Sequence, residues 1–328
     1  MHGEKISVIV PAYNIGPWLG RCLDSLLAQT HKNLEIVVVN DGSKDDTAAV
    51  MDAYAARFAC IKVIHKENGG VTSARLRGVA EASGDWIGFI DGDDTIEPEM
   101  YARLLENARR NGADIAHCGH QVLFPDGRVD FVHNTGEVRL QDHLTALKDL
   151  LDGGLIESGL CTKLYKRELF TGLSDWMDSS IKNNEDLLMN YYLFEKAEKA
   201  IFEDFCPYHY ILRQGSASYR AFNEHSLFDP IRVRQIILEH CAPEMKEAAR
   251  IALMRNLLFI YGQLALNPEK QYQPYRSRVR GLLAEQKEFF GLLSRRNNIL
   301  AHMVCKAPWL FHVAYGAYVK LFQREEQH

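Results

Sequence analysis

Apolar runs alternate with amphipathic helical segments across the first hundred residues, and this alternation constrains the fold more than any single motif. Residues 6–10, 34–39, 60–65 and 86–90 read as strands, and residues 18–29, 47–58 and 73–82 between them as helices. The second run is apolar almost throughout, the pattern of a strand covered on both faces. Strands alternating with helices predict a mostly parallel sheet flanked by helices, an α/β class. In such sheets ligands bind beyond the carboxyl ends of the strands. The conspicuous polar segments sit there: Pro11-Ala12-Tyr13-Asn14, Asn40-Asp41-Gly42-Ser43, Glu67-Asn68-Gly69-Gly70 and Asp91-Gly92-Asp93. Four loops on one rim are stronger evidence of a site than any one alone.

Asp91-Gly92-Asp93 carries the most chemistry. Two carboxylates one residue apart at a strand end can meet one hard cation from the same side. Mg²⁺ and Mn²⁺ suit such oxygen donors and keep positions open for phosphate. Taken alone, the triplet fits equally well an acidic turn capping the next helix, which Glu97-Pro98-Glu99 is expected to open. Asp41 can accept from a base N–H or a ribose hydroxyl, or merely close an Asx turn. Tyr13 can stack on a nucleobase or simply pack. Arg75, following Gly69-Gly70, can serve a base carbonyl or phosphate; its bland alternative is a solvated surface arginine. Asn184-Glu185-Asp186 precedes a helical run, where a carboxylate caps the helix or faces a substrate hydroxyl as a base. The helix would lower the pKa of Asp186 and a nearby acidic site would raise it. His117-Cys118-Gly119-His120 lies in a strand expected over 114–123, so His117 and His120 point to opposite faces and do not form a zinc pair.

Composition excludes several classes. The chain has 328 residues, 47% hydrophobic and 25% charged, with a net charge of −5 and a pI near 6.2. That balance argues against a general nucleic-acid binder, which would carry a basic stripe. Seven scattered cysteines without a Cys-x-x-Cys pair suit a reducing compartment. No signal peptide and no apolar run of spanning length are seen, so a cytoplasmic protein is expected. No Gly-x-Gly-x-x-Gly follows the first strand and no phosphate-cradling Gly-Lys-Ser/Thr is present, which removes the dinucleotide and P-loop fingerprints.

In order along the chain, these residues resemble the family 2 inverting glycosyltransferases of GT-A fold. The likeness rests on Val8-Ile9-Val10-Pro11-Ala12-Tyr13-Asn14, Ser25-Leu26-Leu27-Ala28-Gln29-Thr30, the segment 36–45, Asn68-Gly69-Gly70-Val71-Thr72-Ser73-Ala74-Arg75, Ile90-Asp91-Gly92-Asp93-Asp94 and Asn184-Glu185-Asp186. The segment 162–170 resembles one common in bacterial members, and the likeness covers about residues 5 to 220. It implies that Pro11, Tyr13, Asp41 and Arg75 hold the nucleoside, and that Gly92, beside Asp91, belongs to the same binding site. Asp91 would reach ribose or metal, Asp93 would ligate Mn²⁺ or Mg²⁺ on the diphosphate, and Asp186 would be the general base. The donor would be a nucleotide sugar, commonly UDP-linked, and the acceptor a hydroxyl of a glycan or lipid-linked glycan. Two positions depart from the pattern: Leu76 stands where Asn is common, and Gly92 supplies no side chain for a ribose contact. Residues 213–218 loosely resemble a loop that closes over the donor diphosphate. Two other functions share parts of this reading. A sugar nucleotidyltransferase would want a Gly-rich loop with a basic residue after the first strand, which Pro11–Asn14 does not supply; a non-catalytic nucleotide-sugar-binding scaffold would not need both Asp93 and Asp186.

The pattern turns all-helical near residue 222, giving an expected catalytic domain over 1–222 (nucleotide half 1–110, acceptor half 111–222) and a helical region over 223–328. The aromatic tail from Pro308 admits three readings: packing on the catalytic domain, contact with the inner face of a membrane, or homo-oligomerisation.

Overall fold

The computed structural model describes residues 3–132, 134–213, 222–267 and 269–325. The chain divides into two compact units, Met1–Phe222 and Asn223–His328. In the first, β1 (Ile6–Ala12), β2 (Leu34–Asp41), β3 (Ile61–Lys66) and β4 (Trp86–Phe89) are parallel and lie in the order β3-β2-β1-β4. They alternate with α1 (Gly16–Leu27), α2 (Thr47–Arg57) and α3 (Val71–Glu81). Residues 6–10 of β1 and 36–41 of β2 are buried without a break, as expected of strands covered on both faces. The covering helices are identifiable from two glycines. A β-carbon at Gly78 of α3 would lie 2.4 Å from Ile9 Cγ2, and one at Gly88 would lie 2.6 Å from the ring of Tyr101. Ile9 pairs in register with Phe89, the neighbour of Gly88, so by strand alternation α3 and the helix carrying Tyr101 cover opposite faces. That helix is α4 (Met100–Asn111), closed by Gly112 in the left-handed region.

Beyond β4 the sheet becomes mixed. β5 (Thr95–Ile96) is followed by α4, β6 (Ile115–Leu123), β7 (Val129–Val132), β8 (Val138–Asp142), α5 (His143–Asp152), β9 (Lys163–Lys166), α6 (Glu185–Lys196) and β10 (Lys199–Ile211). The spatial order continues β4-β9-β6-β10-β5, with β9 antiparallel to both β4 and β6. Residues 97–99 turn into α4, with Met100 N donating to Glu97 O at 3.2 Å. Thr95–Ile96 first pairs antiparallel with β10, and Glu99 is the N-cap of α4. β6 and β7 form the hairpin expected around Asp126-Gly127, with Gly127 at φ +88°. His117 is buried and hydrogen-bonds Gln141, whereas His120 pairs with Glu157, so the two histidines serve different neighbours.

The second unit is helical: α7 (Glu224–His240), α8 (Lys246–Ala265), α9 (Gln273–Glu285), α10 (Arg295–Lys306) and α11 (Pro308–Glu325). Asn223 and Ser226 form a reciprocal capping box on α7. α11 packs on α8 through Phe311, edge-on to Tyr261, and through Tyr315, which approaches the bare backbone of Gly262. Among the described residues no helix is long and apolar enough to cross a membrane.

Candidate active site

The strand order reverses at β1, whose chain neighbours run to β2 on one side and whose other sheet neighbour is β4. At the carboxyl ends of these two strands lies a cavity of about 710 Å³, where the architecture of parallel sheets places ligands. Pro11, Tyr13, Asp41, Arg75, Asp91, Gly92, Asp93 and Asp186 all line it. The sequence spreads these residues over 176 positions; the sheet brings them to one rim.

Each wall has a local cause. Asn14 takes φ +52°, a left-handed turn that ends β1 and leaves Tyr13 exposed at the mouth. Its side chain accepts from Lys44 N at 2.8 Å and its own N–H donates to Ser43 Oγ at 3.0 Å, tying the first loop to the second. Asp41 is buried and accepts from Gly69 N (2.9 Å), Gly70 N (2.7 Å) and Lys66 Nζ (2.5 Å). Its carboxylate therefore shapes the turn into α3 as well as facing the cavity. Gly70 has φ +87°, which an L side chain would strain. Lys66 was not singled out by its sequence context; the available signal was its register opposite Asp41 on the adjacent strand.

Arg75 is not the solvated arginine of the bland reading. It is 6% exposed, and its guanidinium reaches Asp91 Oδ1 at 3.2 Å and Glu185 Oε1 at 3.3 Å. Burial works against its charge, but Asp91 and Glu185 outweigh that and hold it as a fixed cation. Arg75 thus links the loop after β4 to the first turn of α6. Gly92 has a packing reason of its own: a β-carbon there would sit 2.4 Å from Ile15 Cδ1. The loop needs a residue without a side chain at that point, which accounts for the departure noted in the sequence.

Asp93 is paired with Arg213, whose Nε lies 2.9 Å from Oδ2 and whose Nη2 contacts the same oxygen. The guanidinium also lies over the Trp18 ring, 4.0 Å from its centre. Residues 214–218 of the loop expected to cover a diphosphate lie outside the described residues. Asp94 is buried and accepts from Ile211 N (2.9 Å) and Tyr208 OH (2.5 Å). Burial, reinforced by Asp91, pushes its carboxyl up to about 8 despite those hydrogen bonds.

Asn184, at φ +66°, turns the chain into α6 and presents Glu185 and Asp186 in the first turn. Burial raises both pKa values; Arg75 opposes the rise at each, and Leu187 N, 2.9 Å from Asp186 Oδ1, opposes it at Asp186. The sequence set the helix terminus against a nearby acidic site; the Asp186 carboxyl is raised, chiefly by burial and to a lesser extent by Asp91.

A divalent cation fits the chemistry of this rim. The side chains of Asp91 and Asp93 are 42% and 23% exposed, so both carboxylates are reachable from the cavity. Among the described residues no group of three or more potential ligands is preassembled. Two protein carboxylates leave most of an octahedral shell to phosphate oxygens and water, as Mg²⁺ prefers.

A model described as Glycosyl transferase family 2 matches residues 7–173. The chain is 39% identical over 197 residues to the glycosyltransferase EpsJ of Bacillus subtilis, covering 59% of this chain and 57% of that one. It is 31% identical over 299 residues to the glycosyltransferase GlyA of Streptococcus pneumoniae, covering 87% and 42%, and 30% identical over 230 residues to GlyG of the same organism, covering 67% and 75%. It therefore spans about half the length of the first two relatives. Among solved structures, residues 1–349 of Staphylococcus aureus TarS in complex with UDP-GlcNAc superpose with a TM-score of 0.77 at 21% identity, covering 96% of this chain and 92% of that one. The UDP complex gives 0.73 at 20% identity, covering 96% and 91%. At that identity the likeness shows the fold, which is GT-A.

Proposed function

The chain belongs to glycosyl transferase family 2, and from that premise we propose that it moves a sugar from a UDP-linked donor to a hydroxyl of a glycan or lipid-linked glycan, with inversion and with Mn²⁺ or Mg²⁺ bound. The observation that carries the proposal is the convergence of Tyr13, Asp41, Asp91, Asp93 and Asp186 on one cavity at the β1/β4 switch point. Structures of TarS hold UDP and UDP-GlcNAc, which supports a nucleotide-sugar donor.

Tyr13, exposed at the mouth, stacks on the base. Asp41, its carboxylate fixed by Gly69, Gly70 and Lys66, accepts from the nucleoside. Asp91 and Asp93 would hold the cation, which when bound would neutralise the charge of the departing diphosphate. Asp93, here paired with Arg213, would have to exchange that partner to hold the cation. Asp186 takes the proton from the acceptor hydroxyl as that oxygen attacks the anomeric carbon on the side away from the nucleotide. Its raised pKa makes it a better proton acceptor than a solvated aspartate and sets the acid side of the pH profile.

The test is UDP release from a panel of UDP-sugars with and without Mn²⁺. Asp186→Asn is expected to abolish transfer while metal-dependent UDP binding persists. Normal turnover by that variant would remove Asp186 as the base, and no UDP release from any donor would remove the UDP-sugar reading.

The second unit is proposed to rest on an anionic bilayer. Residues 223–328 carry 15 Lys and Arg against 10 Asp and Glu, against the acidic balance of the whole chain. Trp309 and Val313, one turn apart on α11, are 68% and 66% exposed. Apolar side chains amid a basic excess suit the interface of an acidic membrane.

A further inference from the structure

Lys163 is the most unusual charge in the first unit. It lies on β9 with 0% exposure. Its ammonium donates to the carbonyls of Glu157 (2.9 Å) and Gly159 (2.5 Å), with Thr162 Oγ1 at 3.5 Å. Among the described residues no carboxylate lies within ion-pair distance of it. A buried cation is costly without a counter-charge, and neutral carbonyls compensate only part of that cost. Such a group calls for a reason beyond packing.

The surroundings supply one. Asn190 is fully buried on α6, four residues after Asp186 and so on the same helix face. Its Nδ2 donates to the carbonyls of Ser158 (2.5 Å) and Gly159 (3.2 Å), and its Oδ1 accepts from Tyr165 OH of β9 at 2.6 Å. The Gly159 carbonyl is thus gripped by Lys163 from the sheet and by Asn190 from the helix. The segment 157–159 precedes β9 in the chain and, through these hydrogen bonds, bridges β9 to α6 one turn beyond Asp186.

Charge completes the picture. The charged or titratable groups that act on Asp186 come from every neighbouring element: Arg75 of α3, Asp91 after β4, Glu185 beside it, and Lys163 and Tyr165 of β9. Arg75 is already divided between two carboxylates in contact with it. Among the described residues Lys163 hydrogen-bonds only neutral oxygens, and its charge acts through space on Glu157 and Asp186. Burial lowers its own pKa to about 8, against the opposing pull of Glu157 and Asp186. It is therefore a cation at neutral pH.

We propose that Lys163 is a positioning residue for Asp186, pinning the first turns of α6 to β9 through Gly159 and supplying the fixed positive charge that favours the ionised carboxylate. The inference rests on Asp186 as the base. Lys163 touches neither substrate nor the reacting atoms.

The experiment follows the carboxyl ¹³C signal of Asp186 through a pH titration of the full chain, the signal being assigned by its loss in Asp186→Asn. Lys163→Gln retains two donors for the two carbonyls but has no charge, and Lys163→Arg retains the charge. The Gln variant is expected to titrate about one pH unit higher than the wild type, and the Arg variant close to it. An unchanged midpoint in Lys163→Gln would overturn the proposal. Should that variant fail to fold, the wild type still decides. Its Asp186 signal is expected to show a second, smaller inflection near pH 8 as Lys163 loses its proton. That inflection is expected to vanish in Lys163→Arg; its absence from the wild type, or its persistence in the Arg variant, refutes the assignment. The titration is independent of turnover, so normal sugar transfer by Asp186→Asn would dispose of the base reading without being mistaken for a failure of the charge coupling.

Discussion

Replacing Gly92 by alanine tests whether the loop carrying the two cavity-facing carboxylates, Asp91 and Asp93, is held by packing. The new β-carbon would lie 2.4 Å from Ile15 Cδ1, 3.3 Å from Leu19 Cδ1 and 3.4 Å from the Pro11 carbonyl oxygen. Carbon atoms in contact sit about 3.5–4.0 Å apart, so the first distance is short by more than about 1 Å. Ile15 Cδ1 is the end of a flexible side chain, but Ile15 is 8% exposed and Leu19, also in the new atom's path, 0%. The side chain has little free space to turn into. Overpacking of this kind costs about 1–3 kcal/mol. In a unit of this size a cost of about 2 kcal/mol lowers the melting temperature by roughly 4–8 °C. Ile15→Val removes the clashing methyl at its own cost of about 0.5–1.5 kcal/mol. The double variant is therefore expected to be at least as stable as Gly92→Ala alone, with a favourable coupling of about 1 kcal/mol. Urea unfolding of the four proteins at constant m-value measures the cycle, and a Mn²⁺–UDP titration reports whether Asp91 and Asp93 have moved. A Gly92→Ala protein as stable as the wild type, or a double variant whose cost is the plain sum of the two singles, would refute the reasoning.

Glu35 accepts from Ser7 Oγ (2.5 Å), Ser83 N (2.8 Å) and Lys5 Nζ (3.1 Å); burial opposes its ionisation, but these bonds hold its carboxyl down to about 2 from 4.5. A folded pKa below the unfolded one stabilises the protein above pH 4.5 and is lost as pH falls from 4.5 towards 2. After allowing for solvent screening, Glu35→Gln is expected to cost about 1–2 kcal/mol at pH 7, shrinking towards zero near pH 2; a cost independent of pH in urea unfolding would contradict this. For the bilayer proposal, Trp309→Glu with Val313→Glu is expected to abolish sedimentation with vesicles containing phosphatidylglycerol. Binding that survives the double change, or equal binding to neutral vesicles, would refute it, as would concentration-dependent self-association through these residues with no vesicle binding.

Much of the first hundred residues was legible in the sequence because its signals are local. A strand flanked by amphipathic helices announces itself within about ten residues; Asp41 and Asp91 stand at the ends of such strands, and Arg75 near the start of the helix after β3. The middle of the chain was less legible. β10 runs over 13 residues, yet its sequence mixes aromatics, charges and Pro207 and lacks a clean alternation. β9 has only four residues, too few for a period to show. The strand ends determine which polar residues share a rim; they do not determine what those residues touch.

By itself, then, the sequence determined the α/β alternation, the rim and the acids on it, since backbone periodicity and turn chemistry act over a few residues. Tertiary structure alone decided that β9 enters antiparallel between β4 and β6, that Arg75 is a buried link between Asp91 and Glu185, and that Asp93 meets Arg213 120 residues away. It also decided that Lys163 is buried and, among the described residues, has no ion-pair partner. Charge and burial depend on neighbours brought together by the sheet order, and pairings across such distances leave no local pattern to read.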